Sequence, residues 1–441
     1  MDATRSMTLM KRSRFPTIPR RALFTGASFI GWLVLVTVAH LWGGALRASG
    51  HELKLHALPL FGEFELRAGP SLVLPVVVAG LVIVGGPVVA RRISWRGLLV
   101  VAVGAGGAWA ISLALVDGPG ALNSPLLGEH DYLRALPQVS SLPVFLSTFT
   151  DSLADYPIHV QGHPPGPLLF LAGLRAAGLA GSGWAAAAVI GGGLSAIPAA
   201  MIAVRSVADE QRARACAPFL VLTPAALWIA TSFDALFMGA SAWGIALLIL
   251  SSERKNRAVA QAFAGGLVLG GAAMLSYGVV PLGLVVVAVA VMRRKPSVLV
   301  AGAAGVALVV AAFAGAGFWW FEGLQATVER YRDGVAATRP YGFFVVNNLA
   351  AGALMLGPAV AAGFTRLRGR GLEVVAGSAL VALLAADLSG FSKGEVERIW
   401  LPFAPWLTVA ASSLGPDRER AWLSLQALLA LGITVFVRTP W

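Results

Sequence analysis

Residues Asp117–Gly166 read DGPGALNSPLLGEHDYLRALPQVSSLPVFLSTFTDSLADYPIHVQGHPPG and form the longest polar interruption in a very apolar chain. They include three of the six histidines, five acidic residues and a His-Pro-Pro turn. We name this stretch the 117–166 loop. Apolar segments precede and follow it, so the rest of the chain reads as a scaffold that presents this loop.

The composition is typical of a polytopic, all-α membrane protein. Of 441 residues, 57% are hydrophobic and 13% are charged, whereas soluble domains carry about 25% charged residues. The net charge of +12 is divided among small clusters between apolar runs, as the positive-inside rule places them. This distribution argues against nucleic-acid binding. The single cysteine, Cys216, excludes an intramolecular disulfide and a cysteine-built metal site.

The apolar runs predict about 13 transmembrane helices. They lie at about residues 22–44, 71–90, 98–116, 184–204, 215–232, 235–251, 258–276, 278–292, 297–317, 342–364, 371–388, 399–414 and 421–437. The basic segment Met1–Arg21 precedes the first run without a clear cleavage site, so that run is predicted to be a retained helix.

One further apolar piece, Pro165–Gly181, carries Arg175 in its middle. If this piece does not span and the N-terminus is cytoplasmic, seven cytoplasmic clusters hold 23 of the 34 lysines and arginines. If it spans, the five later clusters face outward, against the positive-inside rule. We therefore predict an interfacial or re-entrant helix here. With this topology all six histidines and 15 of the 22 acidic residues lie on or near the outer side, where we expect the chemistry.

This topology divides the chain into three predicted segments. Residues 1–96 hold a cytoplasmic tail and two extra helices. Residues 97–277 form a core that includes the 117–166 loop. Residues 278–441 hold the C-terminal helices and two more outer loops, which we name the 318–341 loop and the 389–398 loop.

Two groups of polar residues in the 117–166 loop are candidates for chemistry. Glu129, His130, Asp131 and Tyr132 follow a membrane helix, where a carboxylate can act as a general base or hold a divalent cation. Solvated loop acids are the alternative. The second group contains His159 and the turn His163-Pro164-Pro165, whose prolines hold His163 at the membrane surface. His163 could orient an acceptor, bind phosphate or ligate a metal, and the prolines alone are also typical of a helix start.

Later turns offer further candidates. Asp234 lies between two apolar helices, where a buried acid is expensive and therefore functional, or where it caps the next helix. In the 318–341 loop, Arg330 and Arg332 follow aromatic residues and suit a lipid-linked phosphate and a sugar face, or form an interfacial belt with snorkelling charges.

The 389–398 loop contains Glu395 and Arg398. An arginine at a helix end suits phosphate recognition, and an ordinary solvated turn is the alternative. Asp387 is a second candidate buried acid, or a helix-end acid that reaches water, and Asn347-Asn348 reads as helix capping.

In order and setting, these features resemble the GT-C superfamily of membrane glycosyltransferases, which use polyprenyl-phosphate-linked sugars. The acidic motif at 129–132 follows a membrane helix, and the His-Pro-Pro turn at 163–165 opens an apolar helix. A helix ending in basic residues, Arg205–Arg214, comes next. Thr223-Pro224 and the outer Ser232-Phe233-Asp234 complete the pattern, which covers roughly residues 97–277.

The resemblance implies an inverting transfer on the extracytoplasmic face of the cell membrane. Asp131, or failing it Glu129, would deprotonate an acceptor hydroxyl, with Asp234 as a second acid that assists a metal or the acceptor. Arg398 would contact the donor phosphate. The other expected substrate-binding residues are His163, His159, Tyr132, Arg330, Arg332 and Glu395. The metal ligands are left unknown, with a divalent cation as one alternative for the cofactor.

The expected partners are a polyprenyl-phosphate-linked sugar, a glycan, lipid or protein acceptor, and membrane lipids. A transporter or flippase of a lipid-linked substrate is the main rival, but a transporter needs ionisable residues near the bilayer midplane. A noncatalytic assembly partner is the third alternative.

Overall fold

The computed structural model describes residues 20–230, 232–253 and 257–440, and about 78% of it is helical. It confirms the all-α polytopic class, since nine helices in these residues are long and apolar enough to cross a membrane. They are Leu23–Ala48, Pro70–Arg92, Trp95–Asp117, Ser182–Val207, Asp234–Ser251, Ala258–Leu275, Pro296–Gly315, Arg370–Leu388 and Pro416–Phe436. Most of the predicted tail Met1–Arg21, part of the Arg254–Arg257 cluster, and Thr231 lie outside the described residues.

The remaining predicted spans are bent or broken helices. Tyr341–Leu356 and Pro358–Phe364 meet at 98° and could form a tenth span. Three other apolar stretches are divided at prolines, which remove a backbone donor and interrupt a helix. Their pieces are Glu210–Val221 with Pro224–Trp228, Tyr277–Leu282 with Gly283–Arg293, and Leu401–Phe403 with Ala404–Thr408 and Val409–Leu414.

The most deeply buried span is Asp234–Ser251, in which 78% of the apolar window is buried, against 11% for Leu23–Ala48. It packs closely on the helix Ser182–Leu194, where a side chain at Gly239 would collide with the Gly192 carbonyl. Small residues allow this approach between membrane helices. Because this span is central, its first residue, Asp234, begins inside the protein and not at its rim.

Four of the predicted cytoplasmic basic clusters meet at one end of the bundle. Arg214 donates to the Ala90 and Ile93 carbonyls, and Arg91 pairs with Glu419 at 2.8 Å. Arg293 donates to Ser206 and Ser252, which joins the ends of three helices. The clusters that the charge argument assigned to one side of the membrane therefore lie together.

The 117–166 loop is a chain of short helices, most of them a single turn long. They are Pro119–Leu122, Pro125–Leu127, Tyr132–Ala135, Leu136–Gln138, Leu142–Thr148, Leu153–Asp155 and Ile158–Gln161. The next helix, Gly166–Ala176, has 11 residues and is about 16 Å long. It is too short to cross a hydrocarbon core of about 30 Å. Glycine is required at its start because a side chain at Gly166 would collide with the Met274 carbonyl.

The helices of the C-terminal loops complete the fold. Trp320–Asp333 and Val335–Thr338 form the 318–341 loop, and Val396–Ile399 ends the 389–398 loop. The described residues also include one small antiparallel sheet, in which Glu63–Phe64 pairs with Val437–Arg438.

Candidate functional site

Asp131 begins the short helix Tyr132–Ala135 and caps its N-terminus. Its Oδ1 accepts the Tyr132 N–H at 2.7 Å, and this contact turns the side chain inward. Asp131 is only 6% exposed. Burial, with Asp234 and Asp131 nearby, raises the pKa of Tyr132 well above its usual value, so this phenol stays neutral. Asp131 is therefore a buried carboxylate beside a neutral aromatic wall.

His159 connects the two halves of the 117–166 loop. Its backbone N–H donates to the His130 carbonyl at 3.0 Å, and its Nδ1 lies 3.2 Å from Asp131 Oδ2. On the other side of the ring, Arg398 NH2 lies 3.3 Å from His159 Nε2. A guanidinium can only donate, so Nε2 accepts and Nδ1 carries the proton that it donates to Asp131. Both ring nitrogens are thereby assigned a partner.

His163 lies one turn further along and braces the same loop. Its Nδ1 is 2.7 Å from the His159 carbonyl, so Nδ1–H donates there. The ring packs against Tyr132 and Phe237, with centroids 5.8 and 5.2 Å away. Burial lowers the pKa of His163 to about 4. Of the three roles predicted for His163, phosphate binding is the one that needs the charged ring, and this lowered pKa disfavours the charged form.

Asp234 is the first residue of the central span and is 3% exposed. Ser232 Oγ donates to Asp234 Oδ2 at 2.7 Å and accepts the Asp234 N–H at 3.2 Å. The capping position belongs to Phe233, so the alternative of Asp234 as an N-cap is wrong. The helix has no side-chain cap hydrogen bond, and the Asp234 carboxylate instead accepts a hydrogen bond from Arg398.

Arg398 connects the sequence-distant parts of the site. Its NH1 donates to Asp234 Oδ2 at 2.9 Å, and its NH2 donates to Glu395 Oε2 at 2.6 Å. Burial alone would lower the pKa of Arg398, but Asp234 and Glu395 outweigh it and raise the pKa. Glu395 has a left-handed backbone with φ 60°, a conformation that a non-glycine residue adopts at a cost of about 1–3 kcal/mol and that clusters at functional sites.

These contacts form one continuous network. We name it the Asp131–Arg398 cluster, and its members are Asp131, His159, Asp234, Glu395 and Arg398. Asp131 contacts His159, and His159 contacts Arg398. Arg398 in turn donates to both Asp234 and Glu395. Asp234 and Glu395 contact the guanidinium directly, whereas Asp131 is linked to it through His159. The structure thus brings together five predicted site residues, with Tyr132 and His163 against them.

A second set of contacts holds the 389–398 loop in place. Asn348 Nδ2 donates to Asp387 Oδ1 at 2.9 Å and to the Ser392 carbonyl at 2.7 Å, while its Oδ1 accepts the Gly394 N–H at 3.0 Å. Asn347 Nδ2 donates to the Pro59 carbonyl. Interpreting Asn347-Asn348 as helix capping was wrong, because both amides brace loops. Asp387 is buried, as one alternative expected.

Sequence reasoning missed Glu397, which lies beside the site. It is fully buried, and its Oε1 accepts the Phe61 N–H at 2.9 Å. Burial raises the pKa of Glu397 to about 7. Its signal in the sequence was weak, because Glu397 stands in a run of mixed charges that reads as a solvated turn.

Three predicted site residues lie away from the cluster. The Glu129 side chain is 82% exposed, and its Oε1 lies 3.4 Å from His130 Nε2. Arg330 and Arg332 are exposed on the helix Trp320–Asp333. The same loop instead sends Arg339 inward, where it donates to the Leu53 and Lys393 carbonyls and stacks on Phe344.

The donor set does not fit a resident divalent cation. Asp234 and Glu395 direct their contacting oxygens at the Arg398 guanidinium, and Asp131 directs its oxygens at N–H donors. A cation here would meet the buried positive charge of Arg398. In the part of the chain that the structure describes, no three His, Cys, Asp or Glu side chains are grouped as metal ligands.

A cavity of about 270 Å³ lies apart from the cluster and shares no residue with it. Arg67, Asp117, Trp228 and Arg438 contribute to its walls, and Arg67 NH1 donates to Asp117 Oδ1 at 2.6 Å. The cavity and the Asp131–Arg398 cluster are therefore separate features of the protein.

No protein-family model matches the chain, and no curated protein or solved structure is significantly similar to it. The chemistry of the site must be argued from its own contacts.

Proposed function

We propose that the chain is an inverting glycosyltransferase of the GT-C type, which moves a sugar from a polyprenyl-phosphate donor to a glycan, lipid or protein acceptor. The observation that carries this proposal is the Asp131–Arg398 cluster itself. Residues that the resemblance singled out in three distant segments meet in one network, at the beginning of the most buried span. Such convergence is typical of an active site that several helices position.

Asp131 is the base in this proposal. Each of its oxygens accepts one N–H donor, whereas an ionised carboxylate offers about four acceptor sites. It therefore retains capacity to take the proton of an acceptor hydroxyl. The acceptor oxygen then bonds to the anomeric carbon, the bond from that carbon to the phosphate oxygen breaks, and the polyprenyl phosphate leaves with the electron pair. Attack opposite the leaving group inverts the anomeric configuration.

The proposal includes a finer topology: 13 spans in the cell membrane, a cytoplasmic N-terminus, an interfacial helix at Gly166–Ala176 and an extracytoplasmic site. Two observations support it. The basic clusters around Arg91, Arg214 and Arg293 meet at one end of the bundle. Asp234 lies at the other end of a helix that finishes beside Ser252, a partner of Arg293.

The transporter alternative gains no support from the charges. In the nine candidate spans of the described residues, every charged side chain lies near an end, as Asp234 and Asp387 do. A transporter binding site near the bilayer midplane would place ionisable residues deeper.

The test is transfer of radiolabelled sugar from a set of polyprenyl-phosphate sugars by the purified full chain. Wild type identifies the donor. Asp131→Asn keeps the shape of the side chain and removes the base, so we expect transfer to fall by about 10²- to 10⁴-fold. Glu129→Gln is the matched control, because it makes the same chemical change two residues away on an exposed side chain.

If Asp131→Asn and Glu129→Gln reduce transfer equally, Asp131 is not the base. No transfer by wild type from any donor, together with tight binding of a lipid-linked sugar, would instead support the flippase.

A further inference from the structure

The Arg398 guanidinium has an unusual set of neighbours. Its two terminal nitrogens contact Asp234 at 2.9 Å, Glu395 at 2.6 Å and His159 Nε2 at 3.3 Å. Two carboxylates and an imidazole are the side chains that bind divalent transition metals in proteins. They converge on a side chain that is itself only 7% exposed.

This arrangement does for the site what a bound cation would do. Arg398 compensates buried carboxylates, which are expensive to leave unpaired. It also takes the Nε2 lone pair of His159, which fixes the proton on Nδ1, facing Asp131 Oδ2. In metal sites, a partner of the second ring nitrogen likewise fixes the tautomer and the orientation of a histidine. Arg398 thus acts on Asp131 through His159 and is a positioning residue.

We propose that Arg398 is the built-in cation of this site: among Asp234, Glu395 and His159, its guanidinium supplies the positive charge that a divalent cation would supply, so the chain works without one. The inference deepens the proposed function and rests on it for the reaction. Arginine suits this role because it remains charged when buried and its planar fork spans two carboxylates.

The experiment measures cation binding and sugar transfer separately, so that each can be judged without the other. The full chain, purified in EDTA, is prepared as wild type, Arg398→Ala and Arg398→Lys. Bound Mn²⁺ is measured by electron paramagnetic resonance, and transfer is measured with and without added Mn²⁺ or guanidinium at a non-denaturing concentration. Arg398→Lys keeps a positive charge and serves if Arg398→Ala does not fold.

We expect wild-type transfer to be unchanged by EDTA. Arg398→Ala should lose transfer by about 100-fold, as displaced catalytic groups do, and recover part of it with guanidinium. It should also bind about one more Mn²⁺ than wild type, and Asp234→Asn in the same chain should abolish that binding. Arg398→Lys should retain more transfer than Arg398→Ala and bind no additional Mn²⁺.

Arg339→Ala is the matched control. Arg339 is also buried, at 5% exposure, but it donates to the carbonyls of Leu53 and Lys393. Its removal should create no Mn²⁺ site, and guanidinium should not restore transfer through His159 and Asp131.

Two results would overturn the proposal. One is wild-type transfer that EDTA abolishes and Mn²⁺ restores, which would mean that a metal works beside Arg398. The other is an Arg398→Ala or Arg398→Lys chain that folds but shows neither the Mn²⁺ difference nor rescue. If wild type uses no donor, the proposed function fails, while the Mn²⁺ measurement still decides whether Arg398 fills a cation site.

Discussion

The 117–166 loop and the 318–341 loop were both predicted to build the site, and they contribute very differently. The first supplies Asp131, His159 and His163. The second presents Arg330 and Arg332 on its exposed face. The difference follows from local structure. A run of short helices, many with proline in the first turn, can point each polar side chain inward, whereas a helix of 14 residues must expose the face opposite its buried one.

The first prediction concerns the link between the two ends of the cluster. His159→Leu removes both ring nitrogens, so Asp131 loses one N–H donor and Arg398 loses one acceptor, and the base is displaced. We expect kcat for transfer to fall by about 100-fold, with a smaller change in KM. His130→Leu is the control, because it makes the same change at a ring that is 56% exposed. Equal losses in both variants would mean that the loop needs histidines for folding and not for alignment of Asp131.

The second prediction concerns what the 318–341 loop does contribute. Arg339→Gln leaves the buried carbonyls of Leu53 and Lys393 without a strong donor. At about 1–3 kcal/mol for each unsatisfied buried group, the free energy of unfolding should fall by about 2–4 kcal/mol in detergent. Arg332→Gln, on the exposed face, should leave it unchanged. If Arg339→Gln is as stable as wild type, the two hydrogen bonds of Arg339 contribute little to the free energy of unfolding.

The third prediction is the pH dependence of stability that follows from His163 in the 117–166 loop. Burial lowers the pKa of His163 from an ordinary value of about 6.5 to about 4, so the unfolded chain binds this proton more readily. The stability that this group contributes is present above pH 6.5 and is lost as the pH falls towards 4. Unfolding free energies measured over this range should decline less steeply in His163→Gln than in wild type. His130→Gln should retain the wild-type slope.

Much of this site could be predicted from residue types and their order. The His-Pro-Pro turn marked His163, and the Ser-x-Asp turn marked Asp234 because an isolated acid is expensive in an apolar chain. The partners of Arg398 could not be predicted, since they come from segments that only the packed fold brings together. Three spans were drawn as continuous because average hydropathy does not register the break that a proline such as Pro224 imposes.

The assignment of Arg330 and Arg332 overlooked a signal that the sequence did contain. Trp320 and Gly323 are buried and Tyr331 is partly buried, while both arginines are exposed. This is the amphipathic spacing of a helix that lies against the protein on one side. Aromatic residues followed by arginines therefore described a helix surface and not a binding pocket.

The smallest expected effect is that of neutralising those two arginines. Arg330→Gln and Arg332→Gln together remove exposed charges that lie outside the Asp131–Arg398 cluster, and exposed charges interact weakly with distant groups in water. We expect kcat and KM for transfer to change by less than about 3-fold, with a weak dependence on ionic strength. A tenfold or larger increase in KM, with kcat unchanged, would contradict this. It would mean that the donor phosphate binds along the helix Trp320–Asp333, and that both the 117–166 loop and the 318–341 loop contact the substrate.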